Sequence, residues 1–174
     1  MSKGLSYSVY ITFSAENQKL DCGQQCETLK RIQAPVLVMA KLCSACLLGI
    51  NCKWDGKSNK SSRAIALSKR ELLIPVCPEQ LGGLSTPREP MELRNGKAVN
   101  ASGKDVTEQM KKGALETLRI AKLYKVKKAI LKARSPSCGF GQLKLLSGDV
   151  VKGNGITAEL LHKNRIKIIS EEEI

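Results

Sequence analysis

The sequence has few aromatic residues, one histidine and no long hydrophobic stretch. Phe, Trp and Tyr make up 3% of the 174 residues, too few for the aromatic sheet on which RNA-recognition domains stack bases. No apolar run approaches the roughly 18 residues that span a bilayer, and the first residues lack the apolar segment of a secretory signal. We therefore expect a cytoplasmic protein with no membrane association and a largely aliphatic core.

Acidic residues are scarce relative to basic ones. The 29 Lys and Arg residues outnumber the 16 Asp and Glu residues, which gives a net charge of +13. A field of this size attracts phosphates, although a lysine-rich face is also typical of ordinary solvated surface. RNA is therefore a candidate partner. The basic residues crowd around one predicted helix and the next strand: Lys111, Lys112, Arg119, Lys122, Lys125, Lys127 and Lys128.

The first 35 residues differ in character from the rest of the chain. Polar residues dominate them, and their apolar residues show little periodicity. We predict a poorly ordered N-terminal extension over residues 1–35 and one domain over residues 36–174. Cys22 and Cys26 lie in the extension without a second pair of zinc ligands nearby, and the sequence leaves their role open.

Apolar runs and helical patterns alternate along the domain. A proline in a strand cannot donate to the ladder, so Pro75 indicates an edge strand, and Asn95-Gly96 is typical of a hairpin turn. Asp105 and Glu108 are spaced like a capping box at the start of a helix. Strands that alternate with helices form parallel sheets, so we predict an α/β fold, a Rossmann-like parallel sheet with flanking helices. We predict strands over residues 35–43, 72–77, 127–133 and 166–170, and helices over 61–72, 105–125 and 155–164.

Three of the seven cysteines follow predicted strands. Cys46 comes after the first strand, Cys77 closes the second and Cys138 follows the third. Ligands of open parallel sheets bind beyond the carboxyl ends of the strands, and neighbouring strands lie about 4.8 Å apart. These three thiols can therefore converge on one inorganic cluster. Because an iron–sulfur cluster normally takes four cysteines, three would leave one iron open to a substrate.

Two other functions remain open at this stage. Cys43 and Cys46 have the CxxC spacing of a thiol-disulfide or thiol-transfer enzyme. A basic RNA-binding module, with cysteines that hold zinc or no metal, is the second alternative. Cys52 is interpreted as an inert loop cysteine, with a spare thiol near the cluster as the alternative, and His162 as a surface residue on a basic helix.

Four segments together resemble the thiouracil desulfurase family in order and spacing, and the resemblance spans residues 36–169. It implies a Rossmann-type domain that carries a 4Fe-4S cluster on three cysteines. It also implies removal of sulfur from thiolated uracil, free or in tRNA, to give uracil or uridine and hydrogen sulfide. The segments are CSACLLGINCKWDG, PVCPEQLGGLSTPREP, GKDVTE and LKARSPSCGFGQ.

The resemblance also implies which residues do the chemistry. The cluster ligands of the family fall on Cys46, Cys77 and Cys138. Its catalytic acid/base falls on Glu79, and its helper serine on Ser135. The implied substrate is a thiolated uracil or thiouridine, with tRNA as a further candidate, and the sequence leaves the oligomeric state open.

Overall fold

The computed structural model describes residues 39–174, so the predicted N-terminal extension lies outside the described residues. Helices and strands alternate in the order predicted, with one additional short helix and one additional hairpin. The elements are β1 (Lys41–Ser44), a 3-10 turn (Ala45–Leu48), α1 (Ser62–Ser68), β2 (Leu73–Val76), α2 (Pro78–Leu81), β3 (Met91–Arg94), β4 (Lys97–Asn100), α3 (Thr107–Leu123), β5 (Lys128–Leu131), β6 (Gln142–Lys144), β7 (Val150–Lys152), α4 (Ile156–Lys163) and β8 (Lys167–Ser170).

Four of the strands form one parallel sheet in the order β2-β1-β5-β8. Each strand pairs in parallel with its neighbour, for example Lys41 opposite Leu73 and Lys128 opposite Lys167. The predicted α/β fold is therefore confirmed. Among residues 39–174, strand β2 pairs with β1 alone and so lies at the edge of the sheet, as Pro75 indicated.

Both faces of the sheet are covered, because successive side chains of a strand point to opposite faces. In β1, Leu42 packs in the cluster that includes residues of α3 and α4, whereas Cys43 packs with Leu47 and with Ala64 of α1. The third cluster lies around the β3–β4 hairpin and the start of α3, where Met110 is 1% exposed. This packing holds the carboxyl ends of β1, β2 and β5 at one edge of the domain.

The two hairpins differ in how clearly the sequence predicts them. The β3–β4 hairpin turns at Asn95 and Gly96, which both have positive φ, 48° and 77°, as its sequence predicted. The β6–β7 hairpin was not predicted, since its strands are three residues long and almost wholly exposed. Such strands lack the alternation of buried and exposed residues that marks a half-buried strand.

The start of α3 also differs from the prediction. The helix begins at Thr107, whose backbone N–H donates to Asp105 Oδ1 at 2.9 Å. Glu108 instead pairs with Lys111 at 2.9 Å, so the predicted capping box is wrong and an aspartate turn replaces it. Within residues 39–174, no helix is long and apolar enough to cross a membrane.

Candidate active site

A cavity of about 610 Å³ lies at the carboxyl ends of the parallel strands. This is where ligands bind in open α/β sheets, and the volume falls within the range of small-molecule sites. Segments after β1, β2 and β5 form its floor, and the β6–β7 hairpin contributes one wall. The lining includes residues 44–46, 76–79, 132–136 and 144–146.

The structure brings the three strand-end cysteines to this one cavity. Cys46 lies in the 3-10 turn after β1, and Cys77 is the N-cap residue of α2 after β2. Cys138 follows β5 and lies 6% exposed against the main core. All three line the cavity, so strands that are remote in sequence place three thiols around a common space.

A fourth thiol, Cys52, joins this group, although the sequence suggested an inert loop cysteine. Cys52 is 2% exposed and lines the cavity. Its carbonyl accepts a hydrogen bond from the Cys77 thiol at 3.7 Å. The loop returns to the strand end because the Ile50 N–H donates to the Ala45 carbonyl at 3.2 Å.

Hydrogen bonds lower the pKa values of the Cys46 and Cys77 thiols. Chiefly through a hydrogen bond with Cys52, the pKa of each falls from 9.0 to about 7. The same two hydrogen bonds raise the pKa of Cys52. The lowered pKa favours the thiolate form, which is the form that binds metal.

Burial has the opposite effect on the other two cysteines. It raises the pKa of Cys138, whose thiol is enclosed by the core. It also raises the pKa of Cys43 to about 12, and this side chain is fully buried and does not line the cavity. A dithiol enzyme needs both sulfurs within reach of a substrate, so the Cys43 and Cys46 pair does not form such a site.

Glu79 reaches the cavity from the first turn of α2. Its Oε2 accepts a hydrogen bond from Arg88 Nε at 2.7 Å, and Arg88 Nη2 lies 2.6 Å from the same oxygen. Both side chains are largely buried, with 14% of Glu79 and 7% of Arg88 exposed. Sequence reasoning singled out Glu79 but missed Arg88, which lines the same cavity.

Ser135 and Ser137, two residues apart, have different surroundings. Ser135 lines the cavity, and its Oγ accepts hydrogen bonds from the backbone N–H groups of Ser137 and Cys138, both at 3.2 Å. Ser137 is 1% exposed and its hydroxyl bonds that of Thr157 at 3.0 Å. Only Ser135 is therefore placed to meet a molecule in the cavity.

A buried carboxylate holds the hairpin wall of the cavity. Glu92, in β3, is 2% exposed and its Oε2 accepts a hydrogen bond from the Leu146 N–H at 2.5 Å. The backbone N–H of Leu146 holds the pKa of Glu92 below its usual value. This contact fixes the turn of the β6–β7 hairpin beside the thiols.

The donor set fits a cluster better than a single ion. Within residues 39–174, no group of three or more His, Cys, Asp or Glu side chains is arranged to hold one metal ion. One zinc ion needs all its sulfurs at about 2.3 Å, whereas the ligands of an iron–sulfur cluster bind different irons and lie further apart. Cys46, Cys77 and Cys138 line one cavity from three different strand ends, an arrangement that suits a cluster.

Comparison with known proteins agrees with this geometry. Residues 42–173 match the 2-thiouracil desulfurase family, and the chain belongs to that family, which confirms the resemblance and the expectation of a desulfurase enzyme. The uncharacterized protein YbbK of Bacillus subtilis (strain 168) is 41% identical over 145 residues, which cover 76% of this chain and 96% of YbbK. A solved structure of the 4Fe-4S-dependent thiouracil desulfidase TudS is similar, with a TM-score of 0.73 and 36% identity over 78% of this chain and 92% of that one.

The basic residues highlighted by the sequence lie largely away from the cavity. Lys111 and Arg119 form exposed pairs with acidic neighbours on α3. Most of the remaining basic residues lie at the amino ends of the strands, which form the edge opposite the cavity. Arg165, just before β8, and Lys167, in β8, lie at the same edge. We define the amino-end cluster as the exposed residues Lys122, Lys125, Lys127, Lys128, Arg165 and Lys167, which have no ion-pair partner within the described part of the chain.

Proposed function

We propose that this protein removes sulfur from thiolated uracil with a 4Fe-4S cluster held by Cys46, Cys77 and Cys138. The convergence of these three cysteines on one cavity carries the proposal. The similar solved structure is a 4Fe-4S-dependent thiouracil desulfidase, which supports it. Bound through these three thiolates, the cluster would supply an iron without a protein ligand, for which a soft thiocarbonyl sulfur would have affinity.

The overall reaction replaces sulfur by oxygen and needs no electron donor. Thiouracil and water give uracil and hydrogen sulfide, because the C=S bond is exchanged for C=O. In this proposal Glu79 accepts a proton from the attacking water, a role that requires a carboxylate within about 3 Å of that water. The Ser135 hydroxyl accepts two backbone hydrogen bonds, so its own proton is available to orient a ring carbonyl or ring nitrogen.

Four of the five cationic side chains in the lining are paired with carboxylates, and Lys144 has no ion-pair partner within the described residues. Among the described residues of the lining, Glu79 supplies the one carboxylate. We propose that thiouracil, a thiouridine nucleotide and 4-thiouridine in tRNA all present the same ring to this cavity. Oxygen-sensitive thiolate ligands also suit the reducing cytoplasm. The cationic residues are Lys53, Arg88, Lys132, Arg134 and Lys144.

Anaerobic purification with iron and sulfide analysis tests this proposal. We expect close to four irons and four acid-labile sulfides per chain, and release of uracil and hydrogen sulfide from thiouracil. Cys46→Ala, Cys77→Ala and Cys138→Ala should each lose iron and turnover, whereas Cys43→Ala is a matched control that should keep both. A Cys138→Ala protein that kept its iron while Cys43→Ala lost it would overturn the ligand assignment.

A further inference from the structure

Every nitrogen of the Arg88 guanidinium already has a partner within the protein. Nε contacts Glu79 as described, and Nη2 donates to the Cys52 carbonyl at 2.9 Å. Nη1 donates to the Ser85 carbonyl and to the Thr86 hydroxyl, both at 3.0 Å. An arginine that binds substrate needs donors free for it. Arg88 therefore lines the cavity without being able to act as an anion ligand.

The contact with Arg88 involves only one oxygen of Glu79. Nε and Nη2 both approach Oε2. Oε1 has no hydrogen-bond partner within residues 39–174, and it is not among the buried polar atoms sealed from solvent. One carboxylate oxygen is thus fixed by the protein, and the other is accessible to solvent on a residue that lines the cavity.

Arg88 also joins two of the chain segments around the thiols. It contacts α2 through Glu79 and the Cys52 loop through the Cys52 carbonyl, and its own backbone N–H donates to the Trp54 carbonyl at 2.8 Å. Gln80, also in α2, donates to Thr86 at 2.9 Å. Hydrogen bonds from every nitrogen of the guanidinium restrict Arg88 and its partners to one geometry.

We propose that Arg88 is a positioning residue of the desulfuration reaction. It holds Glu79 by Oε2 so that Oε1 faces the substrate, and it fixes this oxygen relative to the loop that carries Cys52. The inference rests on the proposed function, because the benefit of the geometry is realised only when Glu79 handles the proton of the attacking water.

A lysine cannot reproduce this arrangement. Its ammonium is a single point of charge, whereas the planar guanidinium reaches Glu79, the Cys52 carbonyl and the Ser85 loop from three nitrogens. Arg88→Lys keeps the positive charge and should therefore restore only part of the effect. This separates a role in geometry from a role of charge alone.

A double-mutant cycle with Glu79 tests the inference. Arg88→Met, purified and reconstituted anaerobically, should keep the wild-type iron and sulfide content. It should lower kcat on thiouracil by about 10- to 100-fold, the scale of a misplacement of about 1 Å, with KM little changed. In a Glu79→Gln background it should lower kcat no further, because the group that it positions is already absent. Arg88→Lys should lie between Arg88→Met and wild type, and the exposed pair variant Arg119→Met is the matched control.

The outcomes separate this inference from the proposed function. Wild-type kcat in Arg88→Met, or an equal loss of kcat in the wild-type and Glu79→Gln backgrounds, would overturn the positioning role alone. Wild-type kcat in Glu79→Gln would overturn the role of Glu79 and, with it, that of Arg88. If Arg88→Met does not fold, Arg88→Lys decides, and wild-type kcat in that variant would mean that charge alone suffices.

Discussion

The contact between α2 and α3 gives a sharp test of how packing supports the site. Gly113 of α3 lies so close to α2 that a Cβ there would be 1.8 Å from the Pro78 carbonyl oxygen and 2.9 Å from the Gly82 nitrogen. These are backbone atoms, which cannot rotate away. To reach the 3.4 Å at which ordinary contact begins, α2 must retreat by the difference, 1.6 Å.

Two opposing effects set the magnitude for Gly113→Ala. Alanine gains about 1 kcal/mol of helix propensity over glycine, while overpacking costs about 1 to 3 kcal/mol. Because the clash is with backbone, we take the upper end and expect a net loss of about 2 kcal/mol in the free energy of unfolding. Since α2 carries Cys77 and Glu79, turnover of thiouracil should also fall by about 100-fold, as expected for a displacement of this size.

Urea denaturation and single-substrate kinetics on the anaerobic protein measure both effects. Gly153→Ala is the matched control, because its Cβ would meet only the end of the flexible Leu143 side chain, at 3.0 Å. It should change stability by no more than about 0.5 kcal/mol. A Gly113→Ala protein that is more stable than wild type and fully active would refute the packing argument.

The serine pair and the hairpin wall provide two further tests. Ser135→Ala should lower kcat by about 2- to 10-fold, the worth of one hydrogen bond, whereas Ser137→Ala should leave kcat unchanged and lower the thermal midpoint. Kinetics and thermal unfolding distinguish these results, and the reverse pattern would exchange the two roles. Because the Leu146 N–H holds the pKa of Glu92 below its usual value, the stability that Glu92 contributes is present above its unfolded pKa of about 4.3 and is lost as pH falls through the folded pKa. Glu92→Gln should therefore be less stable than wild type at neutral pH and should lose less stability on acidification. Urea titrations at several pH values would measure both effects. A pH dependence of stability equal to that of wild type would contradict the role of this contact.

The parallel sheet was predictable because its signals are local. Apolar runs mark the strands, helical periodicity marks α3 and α4, and Pro75 marks the edge strand. Once the order of strands is known, the rule that ligands bind at strand ends places Cys46 and Cys77 together. This much of the site follows from topology and needs no side-chain detail.

The rest of the site depends on contacts that no local pattern reveals. Arg88 reaches Cys52 across 36 positions of sequence, and the return of the loop at Ile50 brings the Cys52 thiol to the strand ends. The hairpin wall is attached through Glu92 and Leu146, which are 54 positions apart. Such pairs are decided by tertiary packing, so spacing in one sequence carries no signal for them. Cys52, six positions after Cys46, offered the one available signal, its closeness to a predicted strand end.

The amino-end cluster lies at the edge of the sheet opposite the thiols. Strands of four residues at about 3.3 Å per residue place the amino-end cluster roughly 13 Å or more from the strand ends that bear the thiols. A uracil ring cannot contact both edges, whereas an RNA that places one base in the cavity extends far enough to do so. Charge reversal of Lys125 and Lys128 to Glu should therefore raise KM for tRNA that contains 4-thiouridine, increasingly so at low salt, since each lost phosphate contact reduces the salt dependence of binding. The same variant should process free thiouracil at the wild-type rate. Equal KM values for thiolated tRNA in the variant and the wild type, across salt concentrations, would show that the amino-end cluster is ordinary solvated surface and that RNA is not held there.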